Sequence, residues 1–499
     1  MIRRRTITSY VWNSVSGNKM VILSNCIRNF FRKFELIGNS VQGENPAPDN
    51  PQEIKSAGRK SKNLFNIADL RVGQVQKDGT INEKQIYYRT VILDVPQDGK
   101  YRITFNSNDD YTMLYFTEAY ANGAYSQPYL RVHAGSPNYY ITLAKGKNIL
   151  SFSTHTASGN IVFTTDHNIM IAAESETLDY EPYGYFLEMK ITGKNLFDEE
   201  KAKDANNWTN STILPSYKEI SIYVGKGNSV NISYLENLET GLGFYANIAH
   251  SENDYTMYWL YHSDSAINIT KNKNFISRND YIVLRVDGGS VLKFFEYIKT
   301  LQIEIGSRQT PYEPYTEQTM QIALDDPLRG IGEYKDMLTK DGVVRRIKEV
   351  VITEDTPITC MLGQYGAPET NTVLCRYHDT SLKKTGAIIC GELKKIDNWA
   401  KDEESVAMTE QGIDFRLSRE RLGIGSNTTP EENKVAVIKY LTDHPLHCVA
   451  ELNVPTTEPL PESVQQQLQA LHSENGTTHV FVDSGEVEAG INIEYKYKS

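Results

Sequence analysis

Lys62-Asn63-Leu64-Phe65 is followed 118 positions later by Tyr180-Glu181-Pro182-Tyr183, and Lys194-Asn195-Leu196-Phe197 is followed 118 positions later by Tyr312-Glu313-Pro314-Tyr315. Two words recurring in the same order at a fixed offset of 132 residues mark two copies of one domain in the middle of the chain. Between its words, each copy reads as short strands. Residues 87–95, 99–105, 113–116, 139–143, 148–152 and 160–163 are strand-like in the first copy, with turn residues at the breaks. The second copy answers with 220–224, 229–234 and 281–286. Many short strands with turns between them predict an antiparallel β-sandwich.

Working outward, a chain of 499 residues has room for several domains. Residues 1–58 read as an N-terminal attachment segment ending in a Pro-rich connector, 59–187 and 188–318 as the two sandwich repeats, 319–348 as a connector, and 349–499 as a C-terminal β-rich domain. Two helix starts stand out in that last domain: Thr429-Pro430-Glu431-Glu432, with a capping residue and Pro in the first turn, and Leu460-Pro461-Glu462-Ser463. Its end, 479–482 and 491–497, reads as paired strands. The predicted class is mainly β: tandem antiparallel β-sandwich (jelly-roll) modules with a C-terminal β-rich domain carrying one or two short helices. The head admits two readings. Ile27, Phe30, Phe31 and Phe34 fall at helical spacing with Arg28, Arg32 and Lys33 opposite, while 34–37 equally suits a strand.

The formal net charge of −11 repels phosphate backbones and argues against a nucleic-acid partner. Thirty-one tyrosines against 16 phenylalanines suit strands with a wet outer face, and also flat platforms for sugars. The five cysteines include no pair at zinc-knuckle spacing, so ordinary free thiols are expected. Met1-Ile2-Arg3-Arg4-Arg5 adjoins no apolar stretch of signal length, and the apolar run 20–23 is far too short for a bilayer. No secretion signal and no membrane insertion are expected.

Several further stretches carry a resemblance. They are Gly38-Asn39-Ser40-Val41-Gln42, the run from Asn45 to Ile54, Gln302 to Pro311 before the second closing word, Leu328-Arg329-Gly330-Ile331-Gly332 with Asp341-Gly342-Val343 and Arg345-Arg346, and Pro459-Leu460-Pro461 with Asn475-Gly476-Thr477-Thr478. Together with the repeated words, they resemble tail and baseplate proteins of phages and prophages of Gram-positive bacteria, over most of the chain from about residue 34 onward. The first copy departs from that pattern: 172–179 lacks the Glu-x-Gly step, so a different closing turn is expected there. The resemblance implies a non-enzymatic, minor structural protein of the virion tail tip, made in the host cytoplasm, with jelly rolls like carbohydrate-binding modules. It also implies other tail or baseplate proteins as partners, host cell-wall polysaccharide as a contact, and a homo-oligomer such as a trimer, in which weak sugar contacts gain from multivalency. In that family 34–37 would be a strand.

For binding, the aromatic clusters are the candidates: Tyr111 and Tyr115 in the first repeat, Tyr255, Trp259 and Tyr261 in the second. Flat rings stack on the apolar faces of pyranoses; the same rings would also fill a core or an oligomer interface. Asp110-Tyr111-Thr112-Met113 recurs as Asp254-Tyr255-Thr256-Met257, but at an offset of 144, which is either a matched insertion or a coincidence. No phosphate-binding loop, dinucleotide fingerprint, metalloprotease motif or nucleophile elbow is present. Asp198-Glu199-Glu200 reads as a solvated turn, and Pro445 disfavours a ligand shared by His444 and His447. No metal ligand set is legible and no cofactor is expected. Two alternatives stay open: a structural spacer without glycan affinity, and a cell-wall glycoside hydrolase drawing on Glu392, Asp397, Asp402, Glu403 and Glu404.

Overall fold

Strand alternation closes both repeats. A computed structural model describes residues 2–7, 18–105, 113–133, 139–154, 169–176, 180–236, 245–251, 257–262, 272–288, 291–361, 371–396 and 403–498. The strand expected at 160–163 lies outside the described residues. In the first repeat, Arg89–Val95 buries Val91, Leu93 and Val95 and exposes Asp94, the two-residue period of a strand with one face on a core. Its larger sheet runs Arg71–Val72, Arg89–Val95, Gly146–Thr154, Met113–Ala121, the last also flanked by Leu130–His133 and Ala124–Ser126. Its smaller sheet is Tyr139–Leu143, Gly99–Thr104, Met170–Ala173. Tyr101, Ile103, Phe116, Phe152 and Ile171 fill the space between the two. Arg59–Phe186, with Ala323–Pro327, forms one compact unit.

The second unit comprises Met1–Gly58, Leu187–Ile322 and Leu328–Ser499, and it contains the second repeat. Here the larger sheet runs Thr209–Asn210, Tyr217–Tyr223, Tyr281–Asp287, Tyr245–Ala249, Met257–His262, and the smaller is Asn272–Ile276, Ser229–Glu236, Ile298–Ile305. The chain visits the two sheets in the same order in both repeats, and Ile222, Ile232, Ile248, Leu284, Phe294 and Ile303 form the second core. The observed class is the mainly-β, sandwich-rich one that the alternation predicts.

The rest of this unit is built on a long antiparallel sheet. Its order is Tyr185–Thr192, Gly476–Asp483, Asn18–Cys26, Gly490–Lys498, Lys33–Ile37, Met337–Leu338, Gly342–Ile352, Leu446–Pro459, Ile388–Cys390, with Glu317–Leu324 beside Tyr185–Thr192. Head and tail of the chain therefore interleave. Asp336 anchors the turn into this sheet: fully buried, its carboxylate accepts from the backbone N–H of Arg329 (3.0 Å), Arg346 (2.7 Å) and Ile347 (3.0 Å) and pairs with Arg345 at 3.3 Å. A four-stranded sheet of Ile358–Met361, Thr372–Tyr377, Gly412–Ser418 and Ser405–Thr409 completes the C-terminal part, with helix Pro430–Asp443 supplying Val437 and Leu441 to its core. The cap expected at Thr429 is present and is completed as a capping box by Glu432, and a second helix spans Glu462–Ala470. Among the described residues, no helix is long and apolar enough to cross a membrane.

Three expectations are corrected, and of the two readings of the head the strand is the one observed. The helical spacing of residues 24–34 is realised as strands: Asn18–Cys26 pairs with Gly476–Asp483, and Lys33–Ile37 pairs with Gly490–Lys498. A register shift between Ser24 and Cys26, with Asn25 at φ 55°, sets buried Leu23 and Cys26 three apart, while in the apolar stripe that follows Phe31 and Phe34 are buried and Phe30 is exposed. The two C-terminal strands do not pair with each other, because Asn18–Cys26 lies between them. Cys360 and Cys375 are not free thiols but a disulfide, because pairing of their strands sets them directly opposite; Cys26, Cys390 and Cys448 are free and buried. Asp198-Glu199-Glu200 is a helix start rather than a solvated turn: Asp198 accepts from Lys201 N at 3.0 Å and caps Glu199–Lys203.

Candidate functional site

The repeated words are joints of the sandwich. Buried Asn63 donates to the carbonyls of Ile169 and Glu181, both at 3.0 Å, and its oxygen accepts from Phe65 N (2.9 Å) and Ile171 N (3.0 Å). Asn195 donates to Leu301 and Glu313 carbonyls, both at 3.2 Å, and accepts from Phe197 N (3.0 Å) and Ile303 N (3.1 Å). Both donors and both acceptor sites of one amide are used, tying the opening word to the last strand and to the closing word. This need, met by the same backbone groups in both copies, accounts for the recurring asparagine without any ligand.

The aromatic candidates do not converge. Tyr111 and Tyr255 lie outside the described residues. Tyr115 is half-buried on Met113–Ala121, its ring 6.4 Å from that of Tyr129 and 5.5 Å from the Arg131 guanidinium. Trp259 and Tyr261 sit on the edge strand Met257–His262, opposite Asn247 and Ala246. By its place in the path, Met113–Ala121 corresponds to Tyr245–Ala249, not to Met257–His262. The two copies of the word at offset 144 therefore run into non-equivalent strands, and their residues 110–112 and 254–256 lie outside the described residues.

A groove of about 820 Å³ opens instead between the second sandwich and the long sheet, within one unit. Tyr217–Tyr223 sends Ile220 and Ile222 toward its core and Ser221 and Tyr223 outward, and Tyr281 stands beside Tyr223 on the neighbouring strand. The opposite wall comes from Glu188–Lys190, Thr319–Gln321 and Phe481–Asp483. Three rings cluster there: Tyr223 meets Tyr281 edge-on at 5.0 Å and Phe481 edge-on at 5.3 Å. Burial, reinforced by Asp280, pushes the Tyr223 phenol up to about 12, so it keeps its proton and can donate at neutral pH. Burial and then Asp280 raise Tyr281 as well. Two of its cations are engaged, Lys19 with Glu488 and Lys190 with Glu317, each at 2.6 Å.

The groove leads into a smaller cavity of about 140 Å³, which shares Lys190, Lys201, Ser221, Tyr223 and Phe481 with it and adds Thr192, Phe197, Asp198 and Tyr315. Tyr315 donates to Glu317, and burial together with that carboxylate raises its phenol. Thr192 is 1% exposed, and its hydroxyl has no hydrogen-bond partner among the described residues. Directly opposite it stands His479, whose Nδ1 lies 2.8 Å from Gly193 O. Nδ1–H must donate there, so Nε2 is a bare acceptor, and it too has no partner. Burial lowers His479 to about 4, keeping the ring neutral.

This arrangement offers ring faces, hydroxyls and paired charges, which suits binding. No hydrogen bond joins Ser221 to a base among the described residues, and no cluster there of three or more His, Cys, Asp or Glu could hold a metal. Of the hydrolase carboxylates, Asp397 and Asp402 lie outside the described residues. Glu392 accepts from the backbone N of His447 (2.7 Å) and pairs with its ring (2.9 Å), while His444 stacks on Tyr440. Burial would raise Glu404, but Arg421 at 2.8 Å and the Ser418 N–H outweigh it and hold the carboxyl below its usual range. That is opposite to a general acid's need. Sequence reading passed over the groove although a signal existed: Phe481 alternates with buried Val480 and Val482, so a large ring occupies the nominally outer phase of its strand.

No family model matches the chain, and no curated protein matches it. Among solved structures, the mycobacterial arabinofuranosyltransferase AftD aligns at 7% identity over 82% of this chain, with a TM-score of 0.13. This chain spans 31% of that one. The Sulfolobus turreted icosahedral virus aligns at 11% identity over 93% of this chain and 91% of its own, with a TM-score of 0.09.

Proposed function

We propose that this chain is a non-enzymatic structural protein of a phage or prophage tail tip, part of the host-adhesion device, and that it contacts cell-wall glycans of Gram-positive bacteria. One observation carries the reading: a duplicated, rigidly jointed β-sandwich is set beside an open groove walled by three aromatic rings and by charges that are already paired. Such a surface holds a ligand without acting on it, and an oligomer such as a trimer would multiply weak contacts into useful avidity. The sequence stretches shared with tail and baseplate proteins supply the setting. Other tail proteins are then its partners and the virion its place of work. Antibody raised against the full chain, applied to particles induced from the host bacterium, should decorate the tail tip in electron micrographs. Particles that carry no label anywhere, from cells that make the protein, would remove it from the virion.

A further inference from the structure

The inner cavity of the groove has unfilled hydrogen-bonding capacity. Leaving a buried hydroxyl or ring nitrogen unpaired costs about 1–3 kcal/mol per group, so such atoms are normally matched by a partner. Among the described residues Thr192 Oγ1 and His479 Nε2 are both unmatched; they stand on directly opposed residues, both at least nine-tenths buried, and Thr192 lines the cavity. One hydroxyl can donate and accept; the other atom can only accept. Of the two atoms only Thr192 Oγ1 faces the cavity, and a ligand hydroxyl can meet it either as donor or as acceptor. The walls supply the second half of the specification: Tyr223 and Phe481, rings that suit the C–H faces of a sugar.

We propose that this cavity is a subsite for one neutral pyranose ring at the end of a wall glycan, with a ring hydroxyl taken by Thr192 and the remaining chain lying along the outer groove. This rests on the adhesion reading and names its ligand class. Charge decides against an anionic ligand. The lysines lining the groove, Lys19, Lys190 and Lys201, are answered by Glu188 and Asp483 on its walls and by Glu317 and Glu488 behind Lys190 and Lys19, so no positive surplus remains. Size decides against an extended peptide in the inner chamber, since about 140 Å³ admits one small ring rather than a strand. The outer groove, at about 820 Å³, falls within the usual range for ligand pockets.

Saturation-transfer NMR on the full chain with glucose, galactose, rhamnose and N-acetylglucosamine tests the assignment. Transfer to at least one of these sugars is expected. Thr192→Val should weaken it about five- to tenfold, the worth of one lost hydrogen bond, and Thr192→Ser should restore it. Ser221 is exposed at the mouth of the cavity, so Ser221→Trp should block entry without disturbing the core and serves if the valine variant does not fold. No transfer to any of the four sugars, or equal transfer in a folded Ser221→Trp variant, overturns the subsite. If the wild-type chain nevertheless sediments with whole cell walls, adhesion stands and only the subsite falls; an ordered water would then fill the cavity.

Discussion

Asn63 and Asn195 show how one side chain can hold a domain closed. Each amide binds four backbone groups from three segments, so losing it leaves several buried groups unpaired at once. Asn195→Ala should therefore destabilise the second repeat by roughly 3 kcal/mol or more, read from urea unfolding; a loss near zero would mean the joint is ornamental. The recurring words were legible because the amide's geometry admits no other residue. His479 makes a second residue-scale prediction. Burial holds its folded pKa at about 4, below the ordinary histidine value of 6.5, so the unfolded chain binds the proton more readily. Stability is then full above pH 6.5 and falls as pH drops from 6.5 toward 4, by about 3 kcal/mol for this group. His479→Gln should show a flatter melting profile over that window; an equally steep one would put the acid sensitivity elsewhere.

At the scale of elements, what could be read and what could not follow from local pattern. The strand Arg89–Val95 was visible because its core face alternates without interruption. The capped helix Pro430–Asp443 was visible because capping chemistry is local, with Thr429 and Glu432 three residues apart. The head was not, since its apolar residues sit at helical spacing and only pairing with distant strands settles the matter. The Cys360–Cys375 bond was hidden for the same reason: register between strands, not spacing along the chain, makes the two residues opposite. Alkylation of the unfolded chain without reductant should label three cysteines, Cys26, Cys390 and Cys448, and all five after reduction. Five labelled before reduction, in protein kept from reductants throughout, would contradict the pairing.

The whole molecule is organised around the interleaving of its ends. Gly490–Lys498 pairs with Ile2–Ile7 and with Lys33–Ile37, and it buries Ile491, Ile493 and Tyr495. Contacts across more than 450 positions form late and slowly, and the sheet is incomplete until they do. Truncation after Asp483 should yield insoluble protein, whereas a soluble product with native far-UV circular dichroism would show that the last strand is dispensable. Beyond the outward phase of Phe481, the groove left no mark in the sequence, for a related reason. Its walls come from Lys19, Glu188–Lys190, Ser221, Tyr223, Tyr281, Thr319–Gln321 and Phe481–Asp483, stretches that only the assembled sheet brings together. Adhesion through that groove is the central claim, and co-sedimentation of the full chain with purified Gram-positive cell walls tests it most directly. The account predicts saturable binding that is lost in a folded Tyr223→Ala variant. A folded wild-type chain that stays in solution with every wall preparation would contradict it and leave a structural spacer.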